Sequence, residues 1–475
     1  MKLLCMVILA CGLTVNLLPE SLWAYDEYFE DGAMRVDYYH TGSAGGEIIS
    51  IDRVYLEEQW GGSKINLIDT TDLGKYMVRV YDLRTNQLIF SRGFSSIYGE
   101  WETTSEASEG TSRTFHESAV FPFPKESIQF VIAKRNRRNN FEEIFSCVID
   151  PGSDEVNREY HGRGYKANKY IYHGDPSEKV DVVIMGDGYT ALELPEFHED
   201  VKRLTGALFE SSPFKERKDD FNVWTIDVVS RDSGIDEPTK GLWRDTALGT
   251  SFNSLGTPRY VLTLENEAVR DIASNAPYDQ IYILLNTDRY GGGGIFNFYS
   301  TCITQAEKEV NSWWPEYVFV HEFGHSFAGL GDEYYSSSVA YSDFFPEGVE
   351  PWEPNITALT SVEKLKWSGY VEEKTPLPTP WNKARYDSLG AVRRELDRDS
   401  EDYDEEMRRL EKERLEMLAS EDYAGKVGAF EGAGYASIGL YRPFLDCRMF
   451  SKSLTPFCPV CEEAINRVID FHTNK

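Results

Sequence analysis

Val320–Tyr335 reads VHEFGHSFAGLGDEYY, and the fold turns on it. Within it, His321-Glu322-x-x-His325 has the spacing of the zinc-peptidase signature. Residues four apart on an α-helix share a face, so both imidazoles can reach one ion. Glu322, beside the first histidine, is placed to take a proton from an attacking water. Upstream, Ser312 is a candidate helix cap and Pro315 falls in the first turn. The apolar run from Trp313 to Val320 describes a buried helix, and Gly329 and Gly331 end it. A chance match on an ordinary amphipathic helix would not explain this stop into Asp332-Glu333 just past the second histidine.

Working outward, the 475 residues suit two domains, and 41% hydrophobic with 13% aromatic content is ample for buried cores. A formal charge of -30 argues against nucleic acid and against anionic lipid as partners. The N-terminus joins Lys2 to an apolar run, Leu3 to Leu18, and then Ser21-Leu22-Trp23-Ala24. That is the layout of an export signal cut near Ala24, so a secreted, periplasmic or cell-surface protein is expected. Cys11 could be acylated as in a lipoprotein, though it would leave an unusually short signal. No later stretch is long and apolar enough to span a bilayer. Cys147, Cys302, Cys447, Cys458 and Cys461 remain after the signal, and one or two disulfides with an odd thiol are expected. Cys458-Pro-Val-Cys461 has the spacing of half a zinc knuckle, but only Cys447 lies near it in sequence, so a disulfide is the simpler reading.

Residues 25–150 carry seven short strand-like runs separated by turns: Ala33–His40, Glu47–Glu57, Tyr76–Leu83, Gln87–Gly93, Ser118–Phe123, Gln129–Lys134 and Glu142–Asp150. Their density predicts a β-sandwich. His40 and His116 stand alone there and read as structural. Residues 151–178, polar and marked by Pro151, Gly152, Gly162 and Gly164, read as a linker. From 179 to 475 the patterning becomes α/β, with buried strands at Val180–Met185, Phe221–Val229 and Ile281–Leu285 and a helix over Leu194–Ser211. The acidic loop Ser230–Asp236 has the composition of a weak calcium site. Tyr290–Tyr299 holds four consecutive glycines just ahead of the histidine helix, where an edge strand would pair with a substrate backbone. Residues 391–420 hold eleven acids and seven bases, and about 385–424 reads as a solvated helical insertion without special function. The last element, Val460–Phe471, is an amphipathic helix.

HEFGHSFAGLGDEYY, together with GDGYT, RYGGGGIFNFYS, FEGAGY and FCPVC, resembles the bacterial IgA-metallopeptidase family, and RVDYYHTG and SRGF resemble its β-rich N-terminal domain. The resemblance implies a secreted zinc endopeptidase acting on a protein or peptide substrate, with a metzincin-like catalytic domain. The expected class is therefore α+β: an N-terminal β-sandwich, then a zincin domain with a mixed sheet and an active-site helix. A zinc site needs a third protein ligand. Metzincins use HExxHxxGxxH, sometimes with Asp last; here Gly329 and Asp332 fall one residue late, and no histidine follows until His472. His321, His325 and Asp332 are the expected ligands, with Glu333 or a later acid such as Glu347 or Glu350 as alternatives. Glu322 is the expected general base, Met449 a candidate residue beneath the metal, and Tyr334, Tyr435 or Tyr441 candidate oxyanion donors. A surface binding module on an inactive zincin scaffold is the competing reading; retention of both histidines and Glu322 speaks against it.

Overall fold

The computed structural model describes residues 21–473 apart from 309–310, 337–338, 360, 398–399 and 401, with side chains from residue 25. The expected signal through residue 20, with Cys11, lies outside the described residues; a helix, Ser21–Tyr28, runs across the expected cleavage point. No helix among the described residues is long and apolar enough to cross a membrane.

The architecture is mixed α and β. All seven strands expected before residue 150 form, and they lie in two four-stranded sheets. One orders Arg113–Pro124, Phe29–Ser43, Gly46–Glu57 and Val156–Asn157; the other orders Leu88–Phe94, Tyr76–Asp82, Ile128–Arg135 and Phe141–Ile149. Side chains two apart on a strand share a face, so Met34, Val36 and Tyr38 of the first sheet meet Val78, Val80, Phe130 and Ile132 of the second in one apolar cluster. Each such buried side chain contributes about 1.5–3 kcal/mol. Asn86, at φ 59°, makes the tight connection expected near Arg84–Gln87, and the Asp82 carboxylate accepts the Thr85 amide. His40 sits between Glu47 and Glu117 and stacks on Tyr98, which makes it structural as expected.

The stretch read as a linker is more ordered than its composition suggests. Val156–Asn157 completes the first sheet, and Ala167–Ile171 forms the antiparallel edge of a six-stranded sheet. From that edge the order continues Phe221–Ile226, Val180–Asp187, Gln280–Leu285, Tyr299–Ile303 and the glycine strand Gly292–Ile295. The four inner strands are parallel and both outer ones antiparallel. Val180–Asp187 is buried throughout, as a strand covered on both faces must be. The helix Trp314–Ala328 packs across one end of this sheet, with Phe319 stacked on Tyr282 at 4.1 Å. A C-terminal helix, Pro459–Thr473, lies against it. The charged segment forms two helices, Lys383–Glu395 and Tyr403–Ala419, that pack on each other.

Candidate metal centre

The histidine helix starts at Trp314 with Pro315 in its first turn; Trp313, not Ser312, takes the cap position. It ends at Gly329, where a φ of 61° lets the Gly329 amide reach the His325 carbonyl and the Leu330 amide reach that of Gly324. A Cβ at Gly329 would lie 2.7 Å from the Trp352 ring, so glycine is required twice over. The turn sends Asp332 back over the helix.

There it meets both imidazoles. Oδ1 of Asp332 is 3.1 Å from His321 Nε2 and 3.3 Å from His325 Nε2, and the two Nε2 atoms are 3.2 Å apart. His321 Nδ1 donates to the Arg448 carbonyl at 3.1 Å and His325 Nδ1 to that of Leu330 at 2.5 Å. With the Nδ1 atoms so engaged, both Nε2 atoms face Asp332. Asp332 Oδ1 is buried and receives no other hydrogen bond. These three atoms converge on one point, and a cation bound there would take the place of any proton shared among them. The edge of a tetrahedron with zinc–ligand distances near 2.0–2.1 Å is about 3.3 Å, close to all three separations. Burial alone would raise the Asp332 carboxyl, but His325 and the two ring contacts hold it well below its ordinary range. Burial would lower His325, yet Asp332 outweighs it and pushes the imidazole up to about 9.

The remaining expectations divide. Tyr435 donates to Asp332 Oδ2 at 2.5 Å and so orients that carboxylate. Tyr334 lies beside it in the cleft and accepts from Arg259 at 3.2 Å. Tyr441 is elsewhere, its backbone paired with Thr357. Met449 is fully buried under Gly324 of the helix: a Cβ there would meet its sulfur at 3.2 Å. Glu333 is not a member of the His321–His325–Asp332 group; successive residues of an extended segment face opposite ways, and its carboxylate joins Cys447, Cys458 and Cys461 instead. Glu347 is exposed, and Glu350 pairs with Lys366. No disulfide forms among the described cysteines. The calcium reading of Ser230–Asp236 is not supported: Asp232 accepts the Asp245 amide, Asp236 that of Arg244, and neither belongs to a metal-ligand group among the described residues.

Glu322 and these ligands line a cleft of about 810 Å³. Burial raises the Glu322 carboxyl above its ordinary range, against the opposing pull of His321 and His325. The glycine strand crosses directly over the helix. A Cβ at Gly294 would fall 2.4 Å from the Glu322 carbonyl oxygen, and one at Gly292 2.7 Å from Val318, which explains the glycine run. Gly292 bonds outward to Arg259 and Val261, so part of this edge is already taken. By the alternation of an antiparallel ladder, Gly294 also points outward, toward the cleft it lines.

A family model described as IgA Peptidase M64 matches residues 170–469, and one described as Peptidase M64 N-terminus matches residues 24–146. The chain belongs to the IgA peptidase M64 family. No curated protein matches it. M64 peptidases are metallopeptidases, and among the described residues two groups of side chains could hold a metal. In this M64 chain the cleft also draws on residues that no motif marks. Glu100, from the strand-rich N-terminal region, accepts from Tyr260 and Tyr341 and reaches the cleft wall with Lys75 and Lys134. Nothing in the sequence around Glu100 could have identified it, because the tyrosines that hold it in the cleft lie 160 and 241 residues away. The charged helices contribute Tyr386, Leu389, Arg393, Met407 and Arg414 to the cleft lining, so they are not simply a solvated insertion.

Proposed function

We propose that the protein is a secreted zinc endopeptidase that hydrolyses peptide bonds of extracellular proteins, with immunoglobulin A among the candidate substrates suggested by the family. Its N-terminal region is a β-sandwich and its catalytic domain metzincin-like. The observation that carries this reading is the convergence of His321 Nε2, His325 Nε2 and Asp332 Oδ1 within 3.1–3.3 Å, one residue from Glu322. Two neutral imidazoles and a carboxylate suit zinc, and three protein ligands are the number of a catalytic rather than a structural site. When bound, the ion supplies Lewis-acid polarisation of the scissile carbonyl and acidifies the attacking water.

The chain's own residues do the rest. Glu322 accepts the proton of the attacking water and delivers it to the leaving amine. Tyr334 and Arg259 face the cleft with donors for the developing oxyanion. The outward edge at Gly294 offers backbone groups to an extended substrate.

Incubation of the purified chain with immunoglobulin A and with mixed extracellular proteins, followed by mass-spectrometric reading of new termini, tests the proposal. Cleavage is expected for the parent. Glu322→Gln should keep its metal and lose about 10²–10⁴-fold in rate, the usual contribution of a positioned acid–base group. Undiminished hydrolysis in that variant, or no cleavage by metal-loaded parent protein, would exclude this mechanism.

A further inference from the structure

Behind the candidate catalytic centre lies a second convergence of ligand atoms. Glu333, Cys447, Cys458 and Cys461 are all fully buried, and their carboxylate and thiol atoms lie within 4.8 Å of one another. Cys447 Sγ and Cys461 Sγ are 3.8 Å apart, and Cys461 Sγ is 3.2 Å from Glu333 Oε1. A disulfide needs sulfurs at about 2.05 Å. The edge of a tetrahedron with zinc–sulfur distances near 2.3 Å is instead about 3.8 Å. The Cys458 amide points at Cys447 Sγ at 3.3 Å, and Cys458 and Cys461 bracket the first turn of the C-terminal helix, where the helix dipole favours thiolate.

Two further observations point to a charged occupant. Glu333 Oε2 is buried without any hydrogen-bond partner, although Oε1 is held by Asn355 at 3.0 Å. Nearby, Arg442 is completely buried against Phe450 and Trp381 and bonds only to backbone carbonyls. Its Nε has no hydrogen-bond partner, and the Glu333 carboxylate is one of the few negative charges acting on it. A buried, unpaired guanidinium is costly unless a counter-charge is close. Three thiolates and a carboxylate around one dication form a net anion and supply that charge.

We propose that Glu333, Cys447, Cys458 and Cys461 form a second, structural zinc site, closed on all four sides. Loading it displaces the protons of three thiols, and of the carboxyl where it is protonated, in exchange for one dication. Three thiolates select a soft or borderline ion, and the carboxylate favours zinc over monovalent copper. The site staples the start of the C-terminal helix to two segments that build the candidate catalytic centre. Glu333 follows Asp332, Cys447 precedes Arg448, whose carbonyl orients His321, and the Glu333 amide donates to the Met449 carbonyl at 2.9 Å. The second zinc thus positions the first centre without touching substrate.

The test is zinc content by mass spectrometry of the full chain purified without chelator, in the parent and in a His321→Ala/His325→Ala variant. About two ions per chain are expected in the parent and about one in the variant. The ion left in the variant should be released by a thiol-blocking mercurial. A parent holding one ion and a variant holding none would overturn the proposal, as would an intact mass showing Cys447 joined to Cys461. Cobalt replacement in the parent needs no variant to fold. A sulfur-to-cobalt charge-transfer band is expected, because the two-histidine centre has no sulfur ligand; its absence in cobalt-loaded protein would also overturn the proposal. Neither readout depends on peptidase activity.

Discussion

At Asp332 the two carboxylate oxygens do different work. Oδ1 faces the imidazoles, while Oδ2 receives the Tyr435 hydroxyl, whose residue sits at a left-handed φ of 64°. Such a conformation costs of order 1–3 kcal/mol for a non-glycine residue and persists where surrounding packing enforces it. Tyr435→Phe should therefore fold normally yet lose about 10–100-fold in metal affinity or turnover, the usual cost of removing an orienting partner. A competition titration with a zinc chelator measures this, and parent-like affinity and turnover would show that the hydroxyl plays no part. At this scale the sequence was legible where spacing encodes geometry, at His321, Glu322 and His325. It also favoured Asp332 over Glu333, though only the extended path after Gly329 sends these neighbours to opposite sides. The partnership of Tyr435 with Asp332 was not legible, because it joins residues 103 apart.

The element that departs most from expectation is the charged helical pair. Its composition reads as a solvated face, and most of its surface is one. Yet Leu389, Leu410 and Leu418 are buried, Asp387 accepts from Tyr335 at 2.7 Å, and Arg414 donates to Ser451 at 2.8 Å. Helical spacing of Leu410 and Leu418 was visible in the sequence; that Leu410 lines the cleft while Leu418 joins the core belongs to tertiary packing. Replacing Asp387–Glu421 by a short Gly/Ser linker should leave soluble, metal-binding protein, less stable for the loss of its buried leucines although loop closure itself costs little. It should change kcat/KM for a folded protein substrate more than for a short peptide, because only the longer substrate reaches that part of the cleft. Equal effects on both substrates would contradict a role in substrate selection.

Across the whole molecule, the N-terminal sheets are tied to the rest of the chain by a buried ionic cluster. Arg35 reaches Asp37 at 3.1 Å, Glu57 at 3.2 Å and Asp271 at 2.8 Å, and Asp271 also binds Arg163 at 3.0 Å. Removing one partner of a buried pair leaves uncompensated charge and typically costs about 3–5 kcal/mol. Arg35→Met should accordingly lower the thermal unfolding midpoint by several degrees or more, and calorimetry should show the transition broadening or splitting as the two regions uncouple. An unchanged melting curve would mean that the cluster carries no net stability. Strand alternation made the two sheets legible. The inward turn of Arg35 was not, since its partner lies 236 residues on, and the contribution of Glu100 to the cleft follows from the same docking.

X-ray data collected on either side of the zinc absorption edge locate the ion directly. An anomalous peak is predicted within bonding distance of His321 Nε2, His325 Nε2 and Asp332 Oδ1 together, at about 2.0–2.2 Å from each. A crystal of zinc-loaded protein with no peak between those three atoms would contradict the proposed centre.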